Sequence, residues 1–145
     1  MVTPYGRMDC VPNDHPLYIG GLGRAWSPEA MEVVQQADTL LAVGSRLSHF
    51  TTFYDDRYVR KDIGIIQIEI DQTKLGKNHP VAVGILGDAK AVTGALVRLL
   101  GKVEHPPERE ARFNLAHQLR IKRQRRLESE PPVARTPLKP QQVYH

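Results

Sequence analysis

The chain has 145 residues, 41% hydrophobic and 25% charged, with 11 glycines and 11 prolines, which suits one globular domain and excludes a disordered chain or two full catalytic domains. The net charge of +4 sits wholly in residues 104–127, where seven basic side chains face three acidic ones, while residues 1–103 balance eleven against eleven. One cysteine, Cys10, excludes an internal disulfide or a cysteine-based zinc cluster; no apolar run nears the roughly 20 residues of a membrane-spanning helix, and the first ten residues lack a secretory pattern, so a cytoplasmic location is expected.

The opening Val2 and Thr3 read as the end of a strand, followed by a turn at Pro4, Tyr5 and Gly6. Gly20-Gly21-Leu22-Gly23 lacks both the GxGxxG spacing and a preceding strand, so it reads as a turn and not as a phosphate cradle. Ser27 predicts a helix cap, with Pro28 in the first position, Glu29 in the first turn, and Ala30, Val33, Val34 and Ala37 on one face. Three apolar runs follow: Thr39 to Val43 ending at Gly44, Ile63 to Ile70 ending at Asp71, and Val81 to Leu86 ending at Gly87 and Asp88. Such runs are what a parallel sheet covered by helices requires.

Asp88 predicts the cap of the strongest helix, whose Val92, Ala95, Leu96, Leu99 and Leu100 form an apolar stripe read as core before Gly101 stops it. A basic helix is expected from about Glu108 to Leu127, then a proline-rich connector over 128–138 and the truncated start of a following domain over 139–145.

Strand, helix and strand with short connections predict an α/β fold, a Rossmann-like, doubly wound parallel sheet. It reads as partial, over residues 1–103, with its first βα unit missing and a helical linker after it. A doubly wound sheet usually places its first strand centrally, so the reading predicts an unpaired apolar edge and, from it, homo-oligomer formation or marginal stability.

Ligands of open α/β sheets sit at the carboxyl ends of the strands. There, Gly44 permits close backbone approach, Arg46 supplies a planar cation suited to phosphate or ring stacking, Glu69 and Asp71 supply acceptors, and Asp88 opens a helix whose amides face outward. Each has a structural reading beside it. Asp88 serves as a cap alone, Arg46 pairs with Asp55 or Asp56, Gly44 and Gly87 serve turns, and Glu69 points either to the open sheet end or to solvent.

The six histidines are dispersed without HxxxH or HExxH spacing, and no serine sits in a GxSxG elbow. No metal ligand and no catalytic residue is assigned. Arg120, Lys122, Arg123, Arg125 and Arg126 raise a nucleic-acid reading, but Phe113 is the one aromatic beside them. A solvated or interdomain strut packed through Leu115, Ala116 and Leu119 is the preferred reading, and no membrane partner is expected.

Five motifs in order resemble one family: Asp14-His15-Pro16-Leu17-Tyr18, Ala42-Val43-Gly44-Ser45-Arg46-Leu47, the run from Ile65 to Asp71, Leu75-Gly76-Lys77-Asn78, and Gly87-Asp88-Ala89-Lys90. They resemble the central domain of thiamine-diphosphate-dependent carboligases of the acetolactate synthase, glyoxylate carboligase and sulfoacetaldehyde acetyltransferase group. The likeness runs from about Thr3 to Gly101 and resumes at Leu138 to Tyr144. Leu47 to Thr52 leans toward the sulfoacetaldehyde enzyme, and Asp55-Asp56-Arg57 leans elsewhere.

The resemblance implies a non-catalytic central domain, present as a fragment, that positions two missing thiamine-binding domains. Those domains, and not this one, would hold thiamine diphosphate and magnesium. It also implies FAD or ADP in some members, with Thr3, Pro4, Gly44, Arg46, Glu69, Ile70, Asp88 and Ala89 as the contacts. Gly87, Asp88 and Asn114 imitate the family's magnesium motif, but Ala89 replaces its third residue, a glycine, and the asparagine is single. Leu47-Ser48-His49 after Arg46 departs from the FAD-binding pattern, and the first glycine-rich loop has no counterpart, so FAD affinity is expected to be low. A free-standing nucleotide-binding or interaction module is the alternative.

Overall fold

The computed structural model describes residues 1–25, 27–101 and 108–129. The expected start of a following domain and nearly all of the expected connector lie outside these residues. Strand β1 (Val2–Thr3) pairs in parallel with β2 (Gly20–Gly21), in the register Val2 to Gly20 and Thr3 to Gly21. The glycine segment expected as a turn is therefore a short strand, which then turns through a 3-10 helix at Gly23–Ala25. Glycine is needed here: Gly23 has φ +71°, and a Cβ on it would lie 2.3 Å from the Phe50 carbonyl oxygen.

Helix α1 (Pro28–Gln35) starts where the sequence predicts. Ser27 Oγ accepts a hydrogen bond from the Ala30 amide, and Pro28 occupies the first turn, where it forfeits no intrahelical bond. Ala30 and Val34 are buried, which places the apolar side of the helix against the core.

Strands β3 (Thr39–Val43), β4 (Gly64–Glu69) and β5 (Val83–Leu86) form a second, three-stranded parallel sheet in the order β3-β4-β5. Register places Leu40 opposite Ile65 and Ile66 opposite Val83. Among the described residues the two sheets are separate, where the sequence reading expected one. The α/β class with parallel strands is as expected.

Because side chains alternate along a strand, Leu40, Ala42 and Ile65 share one face of the larger sheet. That face holds the main core, with Leu22, Val34, Leu47, Val59 and Ile63. On the other face Leu41, Val43 and Val83 remain exposed.

The short helix α2 (His49–Thr52) follows β3. Helix α3 (Ala89–Leu100) begins at the Asp88 cap, where Asp88 Oδ1 accepts from the Ala91 amide at 2.9 Å. It lies against β4, yet none of its residues is buried. The expectation that its stripe is core is corrected: Val92, Ala95 and Leu96 are half-buried, while Leu99 and Leu100 are exposed. Amphipathic spacing sets which side can be buried, but burial also needs a partner on that side.

Helix α4 (Glu108–Ser129) packs on α1. Leu119 is buried and Leu115 and Ala116 are half-buried, so the side expected to pack does so. Three of its cations pair with acidic groups, Arg112 with Asp38, Lys122 with Glu32 and Arg126 with Glu29, while Arg120 donates to the Asp14 carbonyl and Arg123 lies over the Tyr18 ring. No helix among the described residues is long and apolar enough to cross a membrane.

Candidate functional site

The carboxyl ends of all three strands of the larger sheet open on one cleft of about 540 Å³, a volume in the range of small-molecule sites. The end of β3 contributes Gly44, Ser45 and Arg46, and the end of β4 contributes Ile68, Glu69 and Ile70. Gly87, Asp88 and Ala89 come from the turn between β5 and α3. Opposite them stands the first turn of the chain, Pro4 to Arg7, with Ser48, Phe50 and Thr51 beside it.

The strand ends are joined by backbone hydrogen bonds. The Gly44 amide donates to the Ile68 carbonyl at 2.9 Å, and the Gly87 amide donates to the Glu69 carbonyl at 3.0 Å. Gly44 has φ +58°, a conformation that favours glycine, and a Cβ there would meet only Ala89 Cβ at 3.7 Å. The space above this turn is thus open toward the cleft.

Glu69 lies at the open sheet end and not toward solvent. Its side chain is buried and folds back on its own strand end, Oε1 accepting from the Ile70 and Asp71 amides at 3.1 and 3.2 Å. Its other oxygen lies 3.9 Å from Arg46 Nε. Asp55 and Asp56, expected as partners of Arg46, pair instead with Arg57 and Lys61. Arg46 keeps a half-exposed guanidinium at the cleft, and among the described residues this long contact is its one ion pair.

Asp88 spends one oxygen on the helix cap and stays exposed. Asp71 does not line the cleft. It caps the 3-10 turn Gln72–Lys74, and the hydrogen bonds from the Thr73 side chain and amide hold its carboxyl below the usual carboxylate range.

Seven of the eight residues named from the resemblance therefore meet at one cleft. Thr3 is the exception: its side chain is buried and shares a hydrogen bond with the Tyr18 hydroxyl at 3.2 Å. Sequence reasoning missed Tyr5, Arg7 and Phe50 as cleft residues. It also missed Gln67, a buried amide that fixes the rim from below. Its Nε2 donates to the Ser45 carbonyl and its Oε1 accepts from the Gly76 amide. A polar residue inside an otherwise apolar strand run was the available signal for Gln67.

The cleft gathers a guanidinium, a carboxylate and an open glycine turn. Arg46 offers a cation suited to an anion, among the described residues Asp88 has one oxygen outside the cap for hydroxyl or amine donors, and the glycine turn admits close approach. Among the described residues no three His, Cys, Asp or Glu side chains form a group that could hold a metal ion. Asn114, the distant member of the magnesium-like spacing, is exposed on α4.

Comparison with known proteins gives the same family as the motifs. The sequence profile described as "Thiamine pyrophosphate enzyme, central domain" matches residues 1–96. The chain is 40% identical over 118 residues to a probable sulfoacetaldehyde acetyltransferase of Rhizobium meliloti (strain 1021), covering 80% of this chain and 20% of that protein. It is 46% identical over 105 residues to a sulfoacetaldehyde acetyltransferase of Alcaligenes xylosoxydans xylosoxydans, covering 71% and 17%. It is 39% identical over 95 residues to a probable acetolactate synthase large subunit of Methanocaldococcus jannaschii, covering 66% and 16%. The chain spans about a fifth of the length of these curated relatives. The parallel strands, the ordered motifs and the profile agree, and the chain belongs to the thiamine pyrophosphate enzyme family, whose central domain it carries over residues 1–96.

Proposed function

We propose that this chain serves as the non-catalytic central domain of a thiamine-diphosphate-dependent carboligase, positioning the domains that perform the chemistry, and that its cleft is a weak site for the ADP portion of a nucleotide. The parent reaction is carbon–carbon bond formation or decarboxylation on a 2-oxo acid or related aldehyde donor. Bound thiamine diphosphate supplies the carbanion chemistry of such enzymes. It needs an activating carboxylate and a metal–diphosphate site together, and the magnesium-like spacing of this chain departs from the family's at Ala89, with Asn114 exposed on α4.

The observation that carries the nucleotide reading is the convergence of Gly44, Arg46, Glu69 and Asp88 at the ends of three parallel strands. Arg46 takes phosphate oxygens, Gly44 lets the ligand approach the backbone, and the Asp88 oxygen outside the cap accepts from a ribose hydroxyl next to the phosphates. Two features keep the affinity low: Asp88 and Glu69 set negative charge beside the phosphates, and Arg46 is shared with Glu69.

Calorimetric titration of ADP and FAD into the purified chain tests this. Expected are ADP binding weaker than micromolar, at least tenfold weaker in Arg46→Ala, and no tight yellow complex with FAD. Absence of any ADP binding at millimolar ligand, or a stoichiometric submicromolar FAD complex, overturns it.

A further inference from the structure

The phosphate-facing side of the cleft leaves two rings unexplained. Tyr5 and Phe50 line the same cleft as Arg46 and Asp88, and each is about half exposed, 47% and 51%, although aromatic side chains usually gain most by burial. Their centroids lie 6.3 Å apart with planes inclined at 44°. The Arg24 guanidinium sits 5.8 Å from one ring centroid and 5.7 Å from the other. Among the described residues Arg24 faces these rings and makes no ion pair.

This wall is held in place by backbone contacts. Gly23 approaches the Phe50 and Thr51 carbonyl oxygens so closely that a Cβ would lie 2.3 and 2.4 Å from them. The Thr51 and Thr52 amides both donate to the Ser48 carbonyl, which closes the turn carrying Phe50. Tyr5 sits in a turn closed by the Arg7 amide on the Pro4 carbonyl at 3.2 Å. Two exposed rings on fixed backbone lose little freedom when a flat partner covers them, which is the condition for a preorganised stacking surface.

Resting on the nucleotide reading above, we infer that Tyr5 and Phe50, backed by Arg24, form the ring-binding wall of the cleft, which selects a ligand carrying a planar base as well as phosphate. The base lies on the Tyr5 and Phe50 side and the phosphates run toward Arg46. Stacking accepts any flat ring, whereas the cations alone accept any phosphate. The two ends together distinguish a nucleoside diphosphate from ringless diphosphate.

The test titrates ADP and inorganic pyrophosphate into the full chain and into Tyr5→Leu, Phe50→Leu and Phe50→Trp. The expected result is an ADP affinity at least fivefold lower in both leucine variants, the lower end of what losing a base–aromatic stack costs. Pyrophosphate affinity should stay within twofold and Phe50→Trp should restore ADP binding. The wall is overturned if ADP binds the leucine variants as it binds the parent chain, or if pyrophosphate weakens equally, which marks the loss as structural. Should ADP binding depend on Arg46 but not on the rings, this inference fails and the nucleotide reading stands; should the parent chain bind no ADP, both fail.

Discussion

Arg126, near the end of α4, grips Glu29 in the first turn of α1 through two hydrogen bonds, Nε to Oε1 at 3.0 Å and Nη2 to Oε2 at 3.1 Å, across 97 residues of sequence. Glu29 is almost fully buried and also accepts from Ser27 Oγ, the side chain that caps the same helix. The pair therefore ties α4 to the start of α1 and to its cap at one point. Burial alone would raise the Glu29 carboxyl, but the hydrogen bonds from Arg126, its own backbone and Ser27 outweigh it and hold the group below its ordinary value.

Removing one partner of a buried pair leaves the other without compensation, a larger loss than the net worth of the pair. Glu29 is the buried member of the pair, so Arg126→Ala, which takes this contact from its carboxylate, should cost about 3 kcal/mol, a Tm lower by roughly 10 °C. Arg126→Lys should recover only part of the loss of Arg126→Ala, since an ammonium cannot make the two-pronged contact. A carboxyl depressed in the folded state contributes stability above its unfolded value and loses it as pH falls through the lower folded value. Thermal unfolding against pH should hence fall less steeply in acid for Glu29→Gln than for the parent chain.

Gly23 and Gly44 both have positive φ, +71° and +58°, but their surroundings differ. Alanine at Gly23 would drive a Cβ into the Phe50 and Thr51 backbone, whereas alanine at Gly44 meets only Ala89 Cβ at ordinary contact distance. Gly23→Ala should cost about 3 kcal/mol or more and displace α2. Gly44→Ala should cost only the left-handed conformation, about 1 kcal/mol, while placing a methyl in the cleft. Denaturant unfolding ranks the two, and equal midpoints would contradict the contrast.

Asp88 combines a cap with a cleft position, and two substitutions separate the roles. Asp88→Ala removes the acceptor for the Ala91 amide and should cost about 1 kcal/mol. Asp88→Asn keeps a competent cap but removes a negative charge from beside the proposed phosphates. Its stability should stay near that of the parent, and pyrophosphate should bind more tightly. Weaker pyrophosphate binding in Asp88→Asn would show that the carboxylate is not set against the anion.

What could be read from the sequence was what local rules govern. Ser27 and Asp88 cap their helices as expected because a cap reaches only three residues along the chain. Thr39–Val43 matches its apolar run to the residue because a short aliphatic run closed by a turn glycine is a local strand signal, although its second face, with Leu41 and Val43, is not covered as the run predicts. Long-range partners were not readable. Arg46 found Glu69 on the next strand and not the nearby Asp55 or Asp56, because parallel register brings the two strand ends together. Gly20 and Gly21 pair as a strand through backbone alone and carry no side-chain pattern to announce it. Tyr5 and Phe50 lie 45 positions apart, and nothing local places them on one cleft.

Thr52 is fully buried, and its hydroxyl joins three segments. Oγ1 donates to the Leu47 carbonyl, accepts from the Tyr54 amide, and meets His79 Nε2 at 3.1 Å. Phe53 and Tyr54 next to it are held at positive φ, 48° and 55°, so the hub also fixes a backbone that side chains disfavour. Burial pushes the His79 imidazole below its ordinary value, partly countered by the Leu47 backbone and Asp56. An imidazole lowered in the folded state gives stability above the unfolded value near 6.5 that is lost as pH falls through the lower folded value. The Tm should therefore drop between neutral pH and mild acid, and His79→Gln should flatten that portion of the profile. An identical slope in the variant would remove His79 as its source.

The side of the larger sheet opposite the main core carries exposed apolar side chains. Leu41 and Val43 alternate with core residues on β3, and Val83 lies across from Ile66 on β5, so these side chains share the face opposite the main core. They remain 48%, 41% and 48% exposed, and Val97, Leu99 and Leu100 on α3 are exposed as well. Among the described residues β3 is an edge strand, with backbone groups on its outer side open to another strand. Apolar surface beside an unpaired edge favours association of copies, since both the transfer of side chains from water and strand pairing then act together. Light scattering after size exclusion should show a mass that rises with concentration above the 16.3 kDa of one chain. Leu41→Lys with Val43→Lys should return it to a single chain, as charge on an edge blocks further pairing. A concentration-independent monomer for the parent chain would show that this face does not drive association.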